Sequence, residues 1–224
     1  MDLSTLKVMR KVVPGTVFIF FGVPLYKTLT GNLIGYDDAL KFSLDGYGAV
    51  IAFIIGAIFC SYDFRKYFIS SSHERINRNI FTRLYTIGRG RTPQASIVKD
   101  RVHNKNMMRV FYSLVDGDES LKEKGKLVRD NGLIWSSCAD LVLLGTVYVY
   151  VYLISVIVAV IWFPAQVIAL VVSGLLIGLL SLIVSVVIFP RVHAEHLKLS
   201  NEQINIIDKL HREKLTELLN KYGI

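Results

Sequence analysis

The side chains best suited to chemistry cluster just after the last apolar run of the chain. His193 and His196 are three residues apart, a spacing at which two imidazoles can share a metal ion. No cluster of carboxylates or cysteines accompanies them. The sequence also lacks a Walker loop, a GxSxG elbow, an HExxH motif and a paired-carboxylate signature. We expect interfacial histidines, with no catalytic residue, metal or cofactor, and a chain that is not an enzyme.

A second set of chemically capable residues is basic. The chain has 26 Lys and Arg against 18 Asp and Glu, a formal net charge of +8, and the basic residues lie outside the apolar runs. We expect them to lie next to an anionic partner. Lipid headgroups are the first candidate, and nucleic acid or nucleotides are the second. Anionic lipid needs only charge, whereas a nucleotide would also use Tyr85 or Tyr112 for stacking. The candidate ligand contacts are Arg89, Arg91, Lys99, Arg101, Lys105 and Arg109.

Long apolar runs must position these residues. Residues 139–163 and 165–189 are separated by Pro164 and contain a single charge, Asp140. A run of about 18 or more apolar residues can cross a membrane as a helix. Two shorter apolar runs precede them, at 12–36 and 46–62. Pro14 and Pro24 interrupt the run at 12–36, which is therefore a broken span or a re-entrant segment. We favour the span, which makes an all-α integral membrane protein with four transmembrane helices.

The distribution of Lys and Arg predicts the orientation of these spans. Residues 1–13 contain three, 27–45 contain two, 63–132 contain fifteen, the turn at 162–166 contains none, and the chain after Pro190 contains six. The excess of Lys and Arg on the cytoplasmic side places both termini and the central region there. The predicted organisation is a membrane hairpin at 1–62, a basic cytoplasmic helical region at 63–132, a second hairpin at 133–190 and a cytoplasmic amphipathic helix at 191–224.

Small residues repeat along two of the spans. Gly48, Ala52, Gly56 and Cys60 follow one another at four-residue spacing, which predicts a helix-packing face. Residues Ser173, Gly174, Gly178, Ser181 and Ser185 follow one side of the last span, either as a packing face or as the lining of a pore. Asp140 either reaches the interface or forms a carboxylate ring at a pore mouth. The two cysteines, Cys60 and Cys138, offer no disulfide framework.

The cytoplasmic segments contain helix signals. Residues 63–87 predict an amphipathic helix for the membrane surface or a neighbouring subunit. Thr92-Pro93 predicts the start of a helix to about Val115, and Ser120 to Glu123 a capping box that opens a helix into the third span. Ser200 and Gln203 form another capping box, which opens the tail helix. Its stripe predicts a coiled-coil seam between subunits, or packing on the central region of the same chain: Ile204, Ile207, His211, Leu215, Leu218 and Tyr222.

This plan resembles that of the small multi-span effector subunits of bacterial anti-phage defence systems, such as the membrane partners of Hailong and cyclic-oligonucleotide systems. The resemblance covers the architecture of the whole chain and no diagnostic motif. It implies an oligomeric channel or pore, a tetramer being favoured, in the bacterial inner membrane, and a nucleotide or oligonucleotide from a partner enzyme that binds at the basic residues and gates it. A non-conducting anchor or scaffold that recruits a cytoplasmic enzyme is the alternative. Arg191 and His196 also resemble the nuclease motif of HEPN domains, which implies a third, RNA-cleaving possibility.

Overall fold

The computed structural model describes residues 3–30, 47–62 and 64–224, which form helices and turns without a β-strand among them. A 3₁₀ turn spans Pro164–Gln166, and a π-helical turn spans Val184–Ile188. The expected all-helical class is confirmed for this part of the chain. The α-helices are α1 (Leu3–Leu29), α2 (Tyr47–Ser61), α3 (Arg65–Arg89), α4 (Ala95–Lys99), α5 (Arg101–Asp116), α6 (Glu119–Trp162), α7 (Val167–Ile183), α8 (Phe189–Leu210) and α9 (Arg212–Lys221).

Three helical stretches of the described chain are long and apolar enough to cross a membrane: Ser4–Leu29, Glu119–Trp162 and Pro164–Leu210. A fourth exists if α2 and α3 form one bent span. The 15 residues of α2 extend about 22 Å at 1.5 Å per residue, less than a hydrocarbon core of about 30 Å. The chain is therefore compatible with a multi-pass membrane protein of three or four spans. Residues 31–36 of the predicted first span and residue 46 of the second lie outside the described residues.

The chain divides into two compact units. Unit 1 comprises Met1–Phe68 and Leu133–Arg191, and unit 2 comprises Ile69–Gly132 and Val192–Ile224. The segments predicted as membrane hairpins, 1–62 and 133–190, both fall in unit 1. The segments predicted as cytoplasmic make up unit 2, except that residues 63–68 and 191 belong to unit 1. Helices α3, α6 and α8 each contribute residues to both units.

In unit 1, helices α1 and α2 cross with their backbones in contact. A Cβ atom on Gly15 would lie 1.7 Å from the main-chain oxygen of Ala52, and one on Gly56 would lie 1.6 Å from that of Lys11. Only glycine permits so close an approach. One turn further, the Cys60 Sγ lies 3.4 Å from the main-chain oxygen of Arg10. Ala52, Gly56 and Cys60, three residues of the four-residue repeat, thus face α1.

Two tyrosines of α6 hydrogen-bond to the main chain of α1 within unit 1. The Tyr148 hydroxyl donates to the main-chain oxygen of Phe18 at 2.9 Å, and the Tyr152 hydroxyl donates to that of Phe21 at 3.2 Å. Tyr152 and Phe21 are each 1% exposed, in a core with Leu170 of α7. Because each hydroxyl has a carbonyl acceptor, the two tyrosines fill the core without a buried unpaired donor.

Unit 2 is a small helical domain with its own core. The apolar face of α3 is buried in this core, so the prediction that it rests on a membrane surface or a neighbouring subunit is wrong for these residues. The tail also packs here, on the central region of the same chain. The core residues, none more than 3% exposed, include Ile76, Ile80, Leu84, Met107, Leu114, Leu121, Ile204, Ile207, Leu215 and Leu219.

Three predicted helix boundaries are wrong. The helix expected from Thr92-Pro93 to about Val115 is divided at Asp100, whose carboxylate accepts the Val102 N–H at 2.7 Å and caps α5. Asp118, rather than Ser120, accepts the Leu121 N–H at 2.9 Å at the start of α6. The Ser200 hydroxyl donates to the His196 main-chain oxygen inside α8 instead of capping a new helix, and the tail is divided at His211.

We predict that Gly56→Ala destabilises the folded protein by about 2 kcal/mol, because the new methyl group meets the backbone of α1 and cannot be accommodated by a side-chain rotation. Unfolding of the detergent-solubilised protein by sodium dodecyl sulfate, followed by tryptophan fluorescence, measures the change. Gly178→Ala is the matched control, since its Cβ would lie 3.4 Å from the Val149 Cγ2. The control should shift stability by less than about 1 kcal/mol. Equal effects of the two substitutions would contradict the close crossing.

Candidate functional site

Helix α5 separates an apolar face from a basic one. Its buried residues, Met107, Val110, Phe111, Leu114 and Val115, face the core of unit 2. The opposite face exposes the side chains of Arg101, Lys105 and Arg109, which follow one another at four-residue spacing. Tyr112 lies on the same side and is 56% exposed. The amphipathic pattern therefore places three cations and one aromatic ring on a single solvent-facing surface.

Asp100 caps the N-terminus of α5, and its carboxylate bonds to groups in the first turn of that helix. The Asp100 carboxylate accepts the Val102 N–H and contacts the His103 Nδ1 at 2.8 Å. The hydrogen bond from His103, followed by that from Val102, lowers the pKa of Asp100 below its usual value. Asp100 is therefore engaged with the first turn of its own helix, and it makes no ion pair with Arg101 or Lys105.

Five of the six predicted ligand residues share one property, which is that their side chains are exposed and make no hydrogen bond or ion pair with another described residue. We call them the basic surface: Arg91, Lys99, Arg101, Lys105 and Arg109. Arg89 differs from them. Its guanidinium donates to the main-chain oxygen of Ile224 and to the Asn220 Oδ1, the latter at 2.7 Å. Arg89 therefore holds α9 to α3 inside unit 2, and the other five cations remain available.

The predicted oligomerisation stripe lies largely inside unit 2. Ile204, Ile207 and Leu215 are each 0% exposed, while Leu218 and Tyr222 are half-buried. The three fully buried side chains cannot at the same time form a seam with a second copy. The arrangement is the one expected if the tail packs on the central region of its own chain.

His211, the remaining residue of that stripe, lies where the tail meets the start of α6. Its Nε2 is 3.1 Å from the Asp118 Oδ2. The Ser120 hydroxyl, the Leu121 N–H and His211 together lower the pKa of Asp118 to about 2. Asp118 is thus ionised at neutral pH, where its negative charge is favourable at the N-terminus of α6.

The small-residue stripe of α7 packs against α6 within unit 1. A Cβ on Gly174 would lie 3.0 Å from the Tyr152 Cβ, and a Cβ on Gly145 would lie 1.8 Å from the Ser181 Oγ. Ser181 is buried, and its hydroxyl has no hydrogen-bond partner among the described residues. Ser173 and Ser185 are half-buried. In a single copy of the chain, Gly174, Gly178 and Ser181 are packing residues at the interface of α6 and α7.

Asp140 forms a buried ion pair that the sequence did not reveal. The Arg65 Nε and Nη2 atoms contact its two carboxylate oxygens at 2.5 and 2.6 Å, with side-chain exposures of 15% for Arg65 and 0% for Asp140. Arg65 Nη2 also donates to the main-chain oxygen of Arg10 at 2.7 Å. The signal for this partner was that Asp140 is the only acid of the long apolar runs and Arg65 comes just after the second span.

The main-chain oxygen of Arg10 is available because of Pro14. In an uninterrupted helix this oxygen would accept the N–H of the residue four positions later, but proline has no N–H. An unsatisfied carbonyl in an apolar environment costs several kcal/mol. Arg65 and Cys60 supply the missing donors. The arginine therefore joins α1, α3 and α6 at the same end of unit 1.

The two histidines of the predicted metal spacing bond to neighbouring main-chain and amide groups of unit 2. The Asn131 amide contacts the His196 Nδ1 at 3.3 Å and donates to the Val192 main-chain oxygen at 3.1 Å. The His193 Nε2 lies 3.4 Å from the Ser72 main-chain oxygen. No group of three or more His, Cys, Asp or Glu side chains within residues 3–30, 47–62 and 64–224 is arranged to hold a metal ion. These contacts are those of histidines packed in a helical domain.

No protein-family model, curated protein or solved structure matches the chain. The functional assignment therefore depends on the two charged sites described above, the basic surface of unit 2 and the ion pair of unit 1.

We predict that Asp140→Asn destabilises the protein by about 3 kcal/mol, because it leaves the Arg65 guanidinium buried without a counter-charge. The same detergent unfolding experiment measures this change. Glu74→Gln is the control, since the Glu74–Arg78 pair is exposed, with side-chain exposures of 69% and 54%. Its removal should cost less than about 0.5 kcal/mol. A cost for Asp140→Asn as small as that of the control would contradict the role given to the buried pair.

Proposed function

We propose that this chain is a multi-pass membrane anchor that presents a basic helical unit to the cytoplasm, where the unit recruits a phosphate-bearing partner. The observation that carries the proposal is the basic surface of unit 2. Its five cations are exposed and make no ion pair or hydrogen bond with another described residue. Cations without a protein partner create a positive potential that attracts anionic ligands.

The proposed orientation has four spans, with both termini and unit 2 on the cytoplasmic side of the bacterial inner membrane. Its support is the count of Lys and Arg, fifteen of which lie in residues 63–132 and none in the turn at 162–166. The ion pair is consistent with this orientation. Arg10, Arg65 and Asp140 lie together at one end of unit 1, next to the basic leader and the basic central region.

The proposed partner is an oligonucleotide. Arg and Lys side chains neutralise phosphates, and the exposed ring of Tyr112 beside Arg109 offers a surface on which a base can stack. Arg101, Lys105 and Arg109 lie one turn apart on α5, so they form a row about 12 Å long at 1.5 Å per residue. A row of this length suits several successive phosphates of a flexible single strand better than one isolated phosphate group.

An anchor agrees with the packing of the spans better than a channel does. The faces that unit 1 exposes are lined by large apolar residues such as Ile157, Ile168 and Leu175. Within the described residues of 139–189, Thr146, Tyr150 and Trp162 are the exposed side chains with polar atoms, and Trp162 lies at the turn between the two spans. A water-filled pore shared by several copies needs a polar lining or a hydrophobic constriction. The apolar faces suit contact with lipid tails instead.

A channel remains the second candidate because of one specific feature of α7. The π-helical turn Val184–Ile188 begins three residues after Ser181, whose buried hydroxyl lacks a partner among the described residues. Such turns are rare and often occur at functional sites. In this candidate an oligomer assembles, and a ligand that prefers one arrangement of unit 2 shifts α7 so that Ser181 and Ser185 reach water.

We predict that the triple substitution Arg101→Gln, Lys105→Gln and Arg109→Gln weakens binding of a fluorescein-labelled 12-nucleotide single-stranded DNA at least tenfold at 50 mM salt. The dependence of log affinity on log salt should fall in slope by about 2, since each lost phosphate contact contributes roughly 0.7. Fluorescence anisotropy with the full chain in a neutral detergent, without lipid, measures both quantities.

The matched control is Lys122→Gln with Lys126→Gln, because these lysines already pair with Glu119 and Glu123. The control should bind DNA as the unsubstituted chain does. Equal binding by the triple variant would contradict the proposal. So would an unsubstituted chain whose basic surface holds phosphatidylglycerol vesicles but no DNA, which would make this surface a lipid-binding one.

A further inference from the structure

The Arg10 side chain makes no hydrogen bond or ion pair with another described residue. Its Nε atom is buried and has no hydrogen-bond partner among the described residues. The residue as a whole is half-buried, so part of its side chain can be reached from outside unit 1. A buried charged donor without an acceptor is costly. The Nη atoms of the same guanidinium are not among the buried unpaired atoms, so they are the part that an external ligand can reach.

The charges around Arg10 make an anion the appropriate ligand. Arg65 uses its Nε and Nη2 atoms on Asp140, and it repels the Arg10 guanidinium. The Arg10 guanidinium therefore lies beside another positive charge, and no carboxylate of the described residues bonds to it. Lys7 and Lys11, on the same helix, are exposed and raise the positive potential further. An additional anion beside Arg10 would balance the cluster.

Aromatic side chains indicate the level at which this cluster lies. Tyr62, Phe64 and Tyr67 are 69%, 44% and 84% exposed, and they flank Arg65 in the sequence. The rings of Tyr62 and Phe64 stack with centroids 5.6 Å apart. Exposed aromatic residues at the end of an apolar span are typical of the lipid headgroup region. The anions found at that level are the phosphates of phospholipids.

We propose that Arg10, beside the Arg65–Asp140 pair, binds the phosphate of a membrane phospholipid headgroup. The planar guanidinium presents parallel N–H donors that match a phosphate group, and the bond is charge-assisted on both sides. The shared chemistry is a phosphate oxygen on the Nη donors of Arg10, which unlike the Nε are not buried, and a lipid or free phosphate could supply it. The proposal needs a membrane location only, and it does not rest on DNA binding by the basic surface.

The test is native mass spectrometry of the full chain released from detergent micelles that contain phosphatidylglycerol, diacylglycerol or millimolar inorganic phosphate. We expect a retained phosphatidylglycerol molecule, no retained diacylglycerol and no displacement by inorganic phosphate. Arg10→Gln should weaken phosphatidylglycerol binding roughly tenfold, the loss of one charge-assisted hydrogen bond. Lys7→Gln, which removes the same charge from the same helix, should change it less than about twofold.

If Arg10→Gln does not fold, Arg10→Lys is used instead, because it keeps the charge and lacks the paired guanidinium donors, and it should bind several-fold more weakly. Equal binding by the unsubstituted chain and the folded Arg10 variant would overturn the proposal. Equal losses from Arg10 and Lys7 substitutions would also overturn it, since general attraction would then suffice. Displacement by inorganic phosphate would overturn the lipid assignment and make this a site for free phosphate.

Discussion

The packing of unit 1 depends on the guanidinium of Arg65. It bonds to both oxygens of Asp140 and to the main-chain oxygen of Arg10, which Pro14 leaves without its helical partner. Each of these groups would be costly to bury alone, and together they satisfy one another. A buried ion pair contributes modestly to stability, because desolvation offsets most of the Coulombic attraction. Its larger effect here is on geometry, since three helices must meet at one point for all the bonds to form.

The helix crossings in unit 1 agree with this geometry. Gly15 and Gly56 allow α1 and α2 to approach within backbone contact, next to the turn that carries Arg10. Elsewhere in the unit, the Ser181 side chain packs against Gly145. The hydroxyls of Tyr148 and Tyr152 donate to main-chain oxygens of α1. Membrane helices gain little from burying apolar surface against one another, so small residues and interhelical hydrogen bonds must hold them together. The stripe of small residues along α7 is explained by this requirement.

The sequence predicted the positions of the apolar helices well and the contacts between helices poorly. The length of the apolar runs and the position of Pro164 located α6 and α7, because membrane thickness sets the length of a span. The partner of Asp140 lies 75 residues away in α3, and no local pattern encodes that contact. The stripe through Ile204 and Leu215 indicated a buried face correctly, but periodicity does not say whether a copy or the same chain covers it. Ser200 matched a capping box although the helix already ran through it from Phe189.

The arginines of the chain divide into those engaged in the fold and those left free. Arg65 and Arg89 bond to groups within their own units, whereas the basic surface has no partner among the described residues. The proposed membrane anchor, with these cations on its cytoplasmic side, would account for this division. The most direct test is potassium flux from liposomes that contain the purified full chain, with an added ionophore as the positive control. We expect flux equal to that of empty liposomes, with and without single-stranded DNA. Flux above that level, abolished by Ser181→Leu in a folded protein, would contradict it and establish a channel.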